Sequence, residues 1–185
     1  MSTGATVGTI MSRLVMTTRP DARLDEAARV LREFHVSGLP VVDAKQRVVG
    51  VVSEKELVTV LYRAAGVDLP RGLLDLLLES APRRGQSILT VCRNRLRNGR
   101  VHEVMSRPAV TIDATAPIER AAKLLRARGV NRLPVVDPRG RLVGIVTRAD
   151  VMGALVHRPS RSRGGLRPRP AVTARRTSTD PYGDA

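Results

Sequence analysis

The sequence predicts a mixed α/β (α+β) fold: two copies of one unit, each a small sheet with helices, packed as a pseudo-two-fold pair with a helical insertion between them. Two observations carry this. Gly38-Leu39-Pro40-Val41-Val42-Asp43 reappears as Arg132-Leu133-Pro134-Val135-Val136-Asp137, and the offset between the copies is constant, without a gap. Pro40 matches Pro134, Asp43 matches Asp137, Gly50 matches Gly144, and Ser53 matches Thr147. That is an internal repeat. In addition, each copy is followed by a second apolar run, Val48–Ser53 or Leu142–Thr147, too short to be a buried helix. One small sheet with helices on one face leaves its other face open, and pairing two such units closes it.

The elements follow in order. Residues 1–9 are small and polar and are expected to form a flexible N-terminal arm. The first repeat spans 10–65. It opens on Ile10-Met11-Ser12, matched later by Val104-Met105-Ser106. Leu14–Thr17 and Ala109–Ile112 then predict short strands. A helix follows, with Leu24, Ala27, Ala28, Leu31 and Phe34 on one face. Its counterpart carries Ile118, Ala121, Ala122 and Leu125, with Pro117 suited to a helix start. Pro138-Arg139-Gly140 supplies the turn between the two later strands of the second repeat. The closing helices start after Ser53 and Thr147. Ser53 with Glu56 fits a capping box, and Thr147 with Asp150 is a close variant.

Residues 66–99 form the insertion. A leucine cluster, Leu73 to Leu78, and a second segment with Ile88, Val91, Cys92 and Arg95 on one helical face predict a helical hairpin. It would cover the paired repeats or contact another subunit. The second repeat spans 100–157. Residues 158–185 are rich in arginine, proline, serine and glycine without apolar periodicity, which predicts a disordered basic tail.

Composition narrows the function. Of the 185 residues, 42% are hydrophobic but only 2% aromatic, so the core must be aliphatic. The net charge of +15 points to an anionic partner or a basic tail. A single cysteine, Cys92, forms no intrachain disulfide and is expected to be a packed residue. No apolar run approaches a membrane span, and the N-terminus lacks the apolar stretch of a secretory leader, so a soluble cytoplasmic protein is expected. His35, His102 and His157 have no metal-like spacing. Met11 and Met105 read as core residues, not a metal pair. No nucleophile or phosphate-loop motif occurs.

Taken together, x-x-M-S, the LPVVD strand, G-x-V-[ST]-x-x-[DE] and the repeat itself resemble a tandem CBS-domain protein, a Bateman module. The resemblance covers about Thr9 to His157, apart from the insertion. It implies a non-enzymatic regulatory fold that binds adenosine-containing ligands such as AMP, ADP, ATP or S-adenosylmethionine between the repeats, needs no cofactor and has no catalytic residues. It also implies pairing into dimers. Carried over residue by residue, Thr147 and Asp150 contact ribose and phosphate. Arg132 faces phosphate, and Val110 and Thr111 line the adenine slot. Ile145 and Val146 add apolar wall. The first repeat departs from this pattern: Glu56 replaces the aspartate and Gly38 stands where Arg132 does, so Ser53 and Glu56 make a weaker second site. The bland reading of the four motif residues is helix capping, at about 1 kcal/mol per cap.

Two alternatives stand beside this reading. One is a nucleic-acid-associated protein acting through the arginine-rich tail, although no recognition helix or aromatic platform supports it as the main function. The other is an interaction module without a ligand. A homodimer is expected through Leu57, Leu61, Met152 and Leu155, together with an unidentified protein partner and no membrane association.

Overall fold

The computed structural model describes residues 5–65 and 88–156. The leucine cluster of the insertion and the basic tail lie outside the described residues. In chain order the elements are α1 (Val7–Ile10), α2 (Leu24–Glu33), β1 (Gly38–Val42), β2 (Val48–Ser53), α3 (Glu54–Ala65), α4 (Ile88–Asn98), α5 (Val101–Val104), β3 (Ile112–Asp113), α6 (Ile118–Arg128), β4 (Arg132–Val136), β5 (Leu142–Thr147) and α7 (Arg148–Val156). The fold is mixed α/β, as the repeat implied.

Both copies of the LPVV strand form antiparallel hairpins with the same register. Gly38 pairs with Ser53 in one and Arg132 with Thr147 in the other. Each turn is tied by its aspartate. Asp43 Oδ1 accepts the backbone N–H groups of Lys45 and Arg47 at 2.8 and 2.9 Å. Asp137 Oδ1 accepts those of Arg139 and Arg141, both at 2.9 Å. The first strands are shorter than their apolar runs suggest. Leu14–Thr17 forms no strand, and only Thr18 makes an isolated parallel bridge, to Val41. In the second half the strand begins at Ile112, the first residue of its run that turns into the core.

The N-terminal segment corrects the expectation of a flexible arm. Val7 is fully buried, and its N–H donates to Ala116 O at 2.8 Å. It packs with Ile112, Ile118, Leu133 and Val146 in the core of the second half. The matching segment behaves symmetrically, because Val101 sits in the core of the first half with Leu24, Leu39 and Leu57. Each half is thus completed by the lead-in segment of the other. The exchange explains the Met and Gly motif positions together. A Cβ on Gly144 would lie 2.5 Å from Met11 Sδ, and one on Gly50 would lie 2.6 Å from Met105 Sδ. Each methionine therefore lies over the glycine of the opposite half, and both methionines pack against the cores.

The end of the insertion is also structural. In α4 the inward pair is Cys92 and Leu96, one helical turn apart, and both are buried in the first core. Val91, expected on that face, is 42% exposed, and Arg95 pairs with Glu103 at 2.8 Å. The i, i+4 pair of Cys92 and Leu96 sets the buried face, which keeps Cys92 of the expected residues and leaves Val91 and Arg95 outward. Phe34 likewise falls at the end of α2, where it is partly exposed and does not extend the buried stripe.

Candidate functional site

A cleft of about 440 Å³ lies between the halves. Its floor and one end come from the first half. β2 ends at Ser53 and α3 starts at Glu54, so a helix start borders the space; the Ser53 N–H is taken by Glu56 and the Glu54 N–H reaches Ser37 O at 3.4 Å. Its opposite wall comes from the second half, from Pro108–Val110 and from Arg128–Arg132 where α6 turns into β4. Val51, Pro108, Ala109, Val110 and Val130 give this cleft an apolar side, and Glu56 and Arg132 give it charge of both signs.

The carboxylate of Glu56 is held at three points. It accepts from the Ser53 backbone N–H at 2.9 Å and from the Ser53 hydroxyl. Its other oxygen accepts from the Ser106 hydroxyl at 3.0 Å, across the boundary between the halves. Ser106 reaches it because the lead-in segment pairs with β2: Val51 and Ser106 exchange backbone hydrogen bonds at 3.1 and 2.9 Å. Arg132 is half-buried. Burial pulls its guanidinium below the ordinary arginine value, while the charge of Glu56 acts the other way.

The expected site residues fall into two groups. Val110 and Arg132 join Ser53 and Glu56 in the cleft just described. Thr147 and Asp150, expected beside Val110 and Arg132, stand instead at the start of α7 in the second half. Neither they nor Thr111, Ile145 and Val146 line this cleft. The exchange of lead-in segments is the reason: Ser106 pairs with Val51 of β2, not with β5, and Pro108–Val110 beyond it line the cleft at the motif of the first repeat. Residue Ser12 runs along β5, exchanging backbone hydrogen bonds with Ile145 at 2.9 Å in each direction. Val146 is fully buried in the second core and offers no wall to a ligand. Sequence reasoning missed Ser37, Lys55, Ser106 and Arg128 as cleft residues. The serine of x-x-M-S was a visible signal, but its partner lies in the other repeat.

At the second position, Asp150 Oδ2 accepts from the Thr147 N–H and from the Thr147 hydroxyl, both at 2.7 Å. The Asp150 N–H donates back to Thr147 Oγ1 at 3.3 Å. This is the expected cap. The matching serine, Ser12, makes no side-chain bond to Asp150 comparable to that of Ser106 with Glu56, because aspartate is one methylene shorter.

Among the described residues, no group of three or more His, Cys, Asp or Glu side chains is placed to hold a metal. Cys92 is buried and burial raises its thiol pKa, which removes it as a nucleophile. No described helix is long and apolar enough to cross a membrane.

The CBS domain model matches this chain twice, at residues 7–63 and 101–157. The chain belongs to the CBS-domain family. The first match starts at Val7, the residue buried in the second core. A CBS domain-containing protein of Dictyostelium discoideum is 31% identical over 147 residues, covering 80% of this chain and 88% of the relative. CBSX2 from Arabidopsis thaliana, solved in complex with AMP, is 30% identical, covers 83% of this chain and 97% of that one, and superposes with a TM-score of 0.61. The cytosolic domain of the Mg2+ channel MgtE, solved with ATP, is 27% identical with a TM-score of 0.55, covering 80% of this chain and 48% of that one. The fold is that of a CBS pair, a module that binds regulatory ligands.

Proposed function

We propose that this CBS pair is a non-enzymatic regulatory module that binds an adenosine-containing ligand between its repeats, and that the cleft at Glu56 is a principal site. The observation that carries the reading is the cleft itself: an apolar wall at Val110 and Val130, with Arg132 on the same side, faces the Glu56 carboxylate across the boundary. The apolar wall suits a purine base. A carboxylate accepts from ribose hydroxyls. Arg132, Lys55 and the N–H groups opening α3 suit a phosphate. That CBSX2 holds AMP and the MgtE domain holds ATP supports the ligand class. Asp150 and Thr147 form the corresponding second position. An adenine nucleotide would act as a regulatory ligand and not as a cofactor.

Assembly belongs to the same reading. Met152, Leu155 and Val156 are 55%, 44% and 74% exposed along α7, and a second copy or a regulated partner covering them would bury this apolar stripe. Leu57 and Leu61, expected in the same surface, are fully buried and do not contribute.

Calorimetric titration with AMP, ADP, ATP and S-adenosylmethionine tests the function. Val110→Trp, which fills the apolar side of the cleft, should abolish the binding that this cleft provides. Binding unaffected by Val110→Trp would move the ligand elsewhere, and no heat with any of the four would refute the reading.

A further inference from the structure

One of the differences between the two halves on their shared boundary is large: Arg132 in the second half matches Gly38 in the first. β4 pairs Arg132 with Thr147, so the arginine is rooted beside the hydroxyl that opens α7. Directly opposed residues in such a ladder have Cβ atoms about 4.5–5.5 Å apart. The guanidinium, however, lies across the boundary. Nη1 donates to Gly38 O at 2.8 Å and Nη2 donates to the Ser37 hydroxyl. Gly38 in turn pairs with Ser53, the residue that opens the Glu56 cleft. A Cβ on Gly38 would lie 3.2 Å from both Nε and Cζ of Arg132 and 3.0 Å from Ser53 Cβ. The missing side chain is therefore the seat of the guanidinium, and a second arginine at that position would displace the first.

We propose that Arg132 is a single phosphate-binding group shared by the two ligand positions, so that phosphorylated ligands at the Glu56 and Asp150 positions compete for it and bind with negative coupling. This rests on the reading of those positions as adenosine-ligand sites. The resting partners, a carbonyl and a hydroxyl, are neutral, and a phosphate offers a stronger charge-assisted bond. Rooted at Thr147 and docked beside Ser53, the side chain reaches either helix start by rotating about its own bonds. The Glu56 position holds it at rest, and its cleft adds Lys55 from α3 and Arg128 from the end of α6, so that position fills first. A ligand arriving at Asp150 then finds the guanidinium engaged. A ligand without phosphate draws on none of this and leaves the two positions independent.

The test is calorimetry on the full chain with AMP and, separately, adenosine as probes. Glu56→Gln and Asp150→Asn assign each binding step to its position. In the unmodified protein AMP should bind in two steps separated by tenfold or more, while the adenosine steps lie within threefold. Arg132→Gln, which keeps a donor for Gly38 O but removes the charge, should bring the two AMP steps to within threefold, chiefly by weakening the first. Equal AMP steps in the unmodified protein would overturn the coupling, and so would a tenfold gap that survives in Arg132→Gln. Absence of binding by both probes would overturn the ligand reading itself, and the coupling with it.

Discussion

In the first half, α3 carries Leu57 and Leu61, both fully buried, and α4 lays Cys92 and Leu96 into the same core. In the second half the matching residues of α7 are Val151 and Leu155; Val151 is buried in the second core, but Leu155 is 44% exposed and Met152, next to Val151, is 55% exposed. The repeats encode the same closing helix, but among the described residues only the first is followed by a further helix, α4. An apolar stripe on a helix states what the helix can bury; whether it is buried depends on an element elsewhere in the chain. The ligand positions differ in the same manner. Glu56 is tied to Ser106 across the boundary, and among the described residues Asp150 is tied only within its own cap.

The largest expected effect comes from uncovering α3. Leu96→Ala should cost about 2–5 kcal/mol, the usual range for truncating a buried leucine. Leu155→Ala should change the stability of the single chain by less than about 0.5 kcal/mol, as for an exposed position. Urea denaturation of both variants checks the contrast. Equal losses would mean that α7 is covered in solution, and light scattering would then show a larger species that Leu155→Ala dissociates.

A smaller difference should appear at the paired serines. Ser106→Ala removes a bond to a half-buried carboxylate and should cost about 1 kcal/mol. Ser12→Ala removes no side-chain bond to Asp150 and should cost a few tenths at most. Comparable losses in thermal melts would show that the extra methylene of Glu56 does not matter.

At the hairpin turns the halves should respond alike. The carboxyls of Asp43 and Asp137 are both held below the ordinary 3.8, first by the backbone N–H groups of Arg47 and Arg141 respectively. A carboxyl with a lowered folded pKa contributes stability above its unfolded value, and that contribution is lost as pH falls through the folded value. Asp43→Asn and Asp137→Asn should therefore each destabilise at neutral pH, and the deficit should shrink toward about pH 3. A deficit that grows on acidification, in either variant, would contradict the sign.

Much of this architecture was legible in the sequence. The constant offset revealed the repeat, and the LPVV hairpins, the caps and the core of α2 followed from periodicity and turn chemistry. What was not legible was crosswise. Val7 looked like part of a polar arm because its neighbours are small and its partners, Ala116 and Ile118, are far along the chain. For the same reason Val110 was grouped with Asp150, although Ser106 pairs with the other repeat's β2 and Pro108–Val110 line the cleft at Glu56. A linear repeat shows which residues correspond, but exchange of the lead-in segments decides which of them meet.

The finest test of the comparison is at the C-terminal ends of α2 and α6. Both end in the same arrangement. The Val36 N–H bonds back to Leu31 O at 3.0 Å, and the Val130 N–H bonds to Leu125 O at 3.1 Å. Each needs a residue of left-handed conformation just before that valine. The second half has Gly129 there at φ 62°, and the first has His35 at φ 50°. A side chain in this conformation costs roughly 1 kcal/mol, which glycine avoids, and the greater freedom of glycine in the unfolded chain offsets part of the gain. His35→Gly should therefore stabilise the protein by about 0.5 kcal/mol. Gly129→His should destabilise it by a similar amount, since a Cβ there meets nothing within 4 Å and the change reports the backbone alone. Denaturant titration of the two single variants and the double variant measures both terms, and the double should return close to the parent. Loss of stability in His35→Gly would show instead that the imidazole is held in its own groove of about 380 Å³, beside Arg32 and Glu54, and that this contact outweighs the strain.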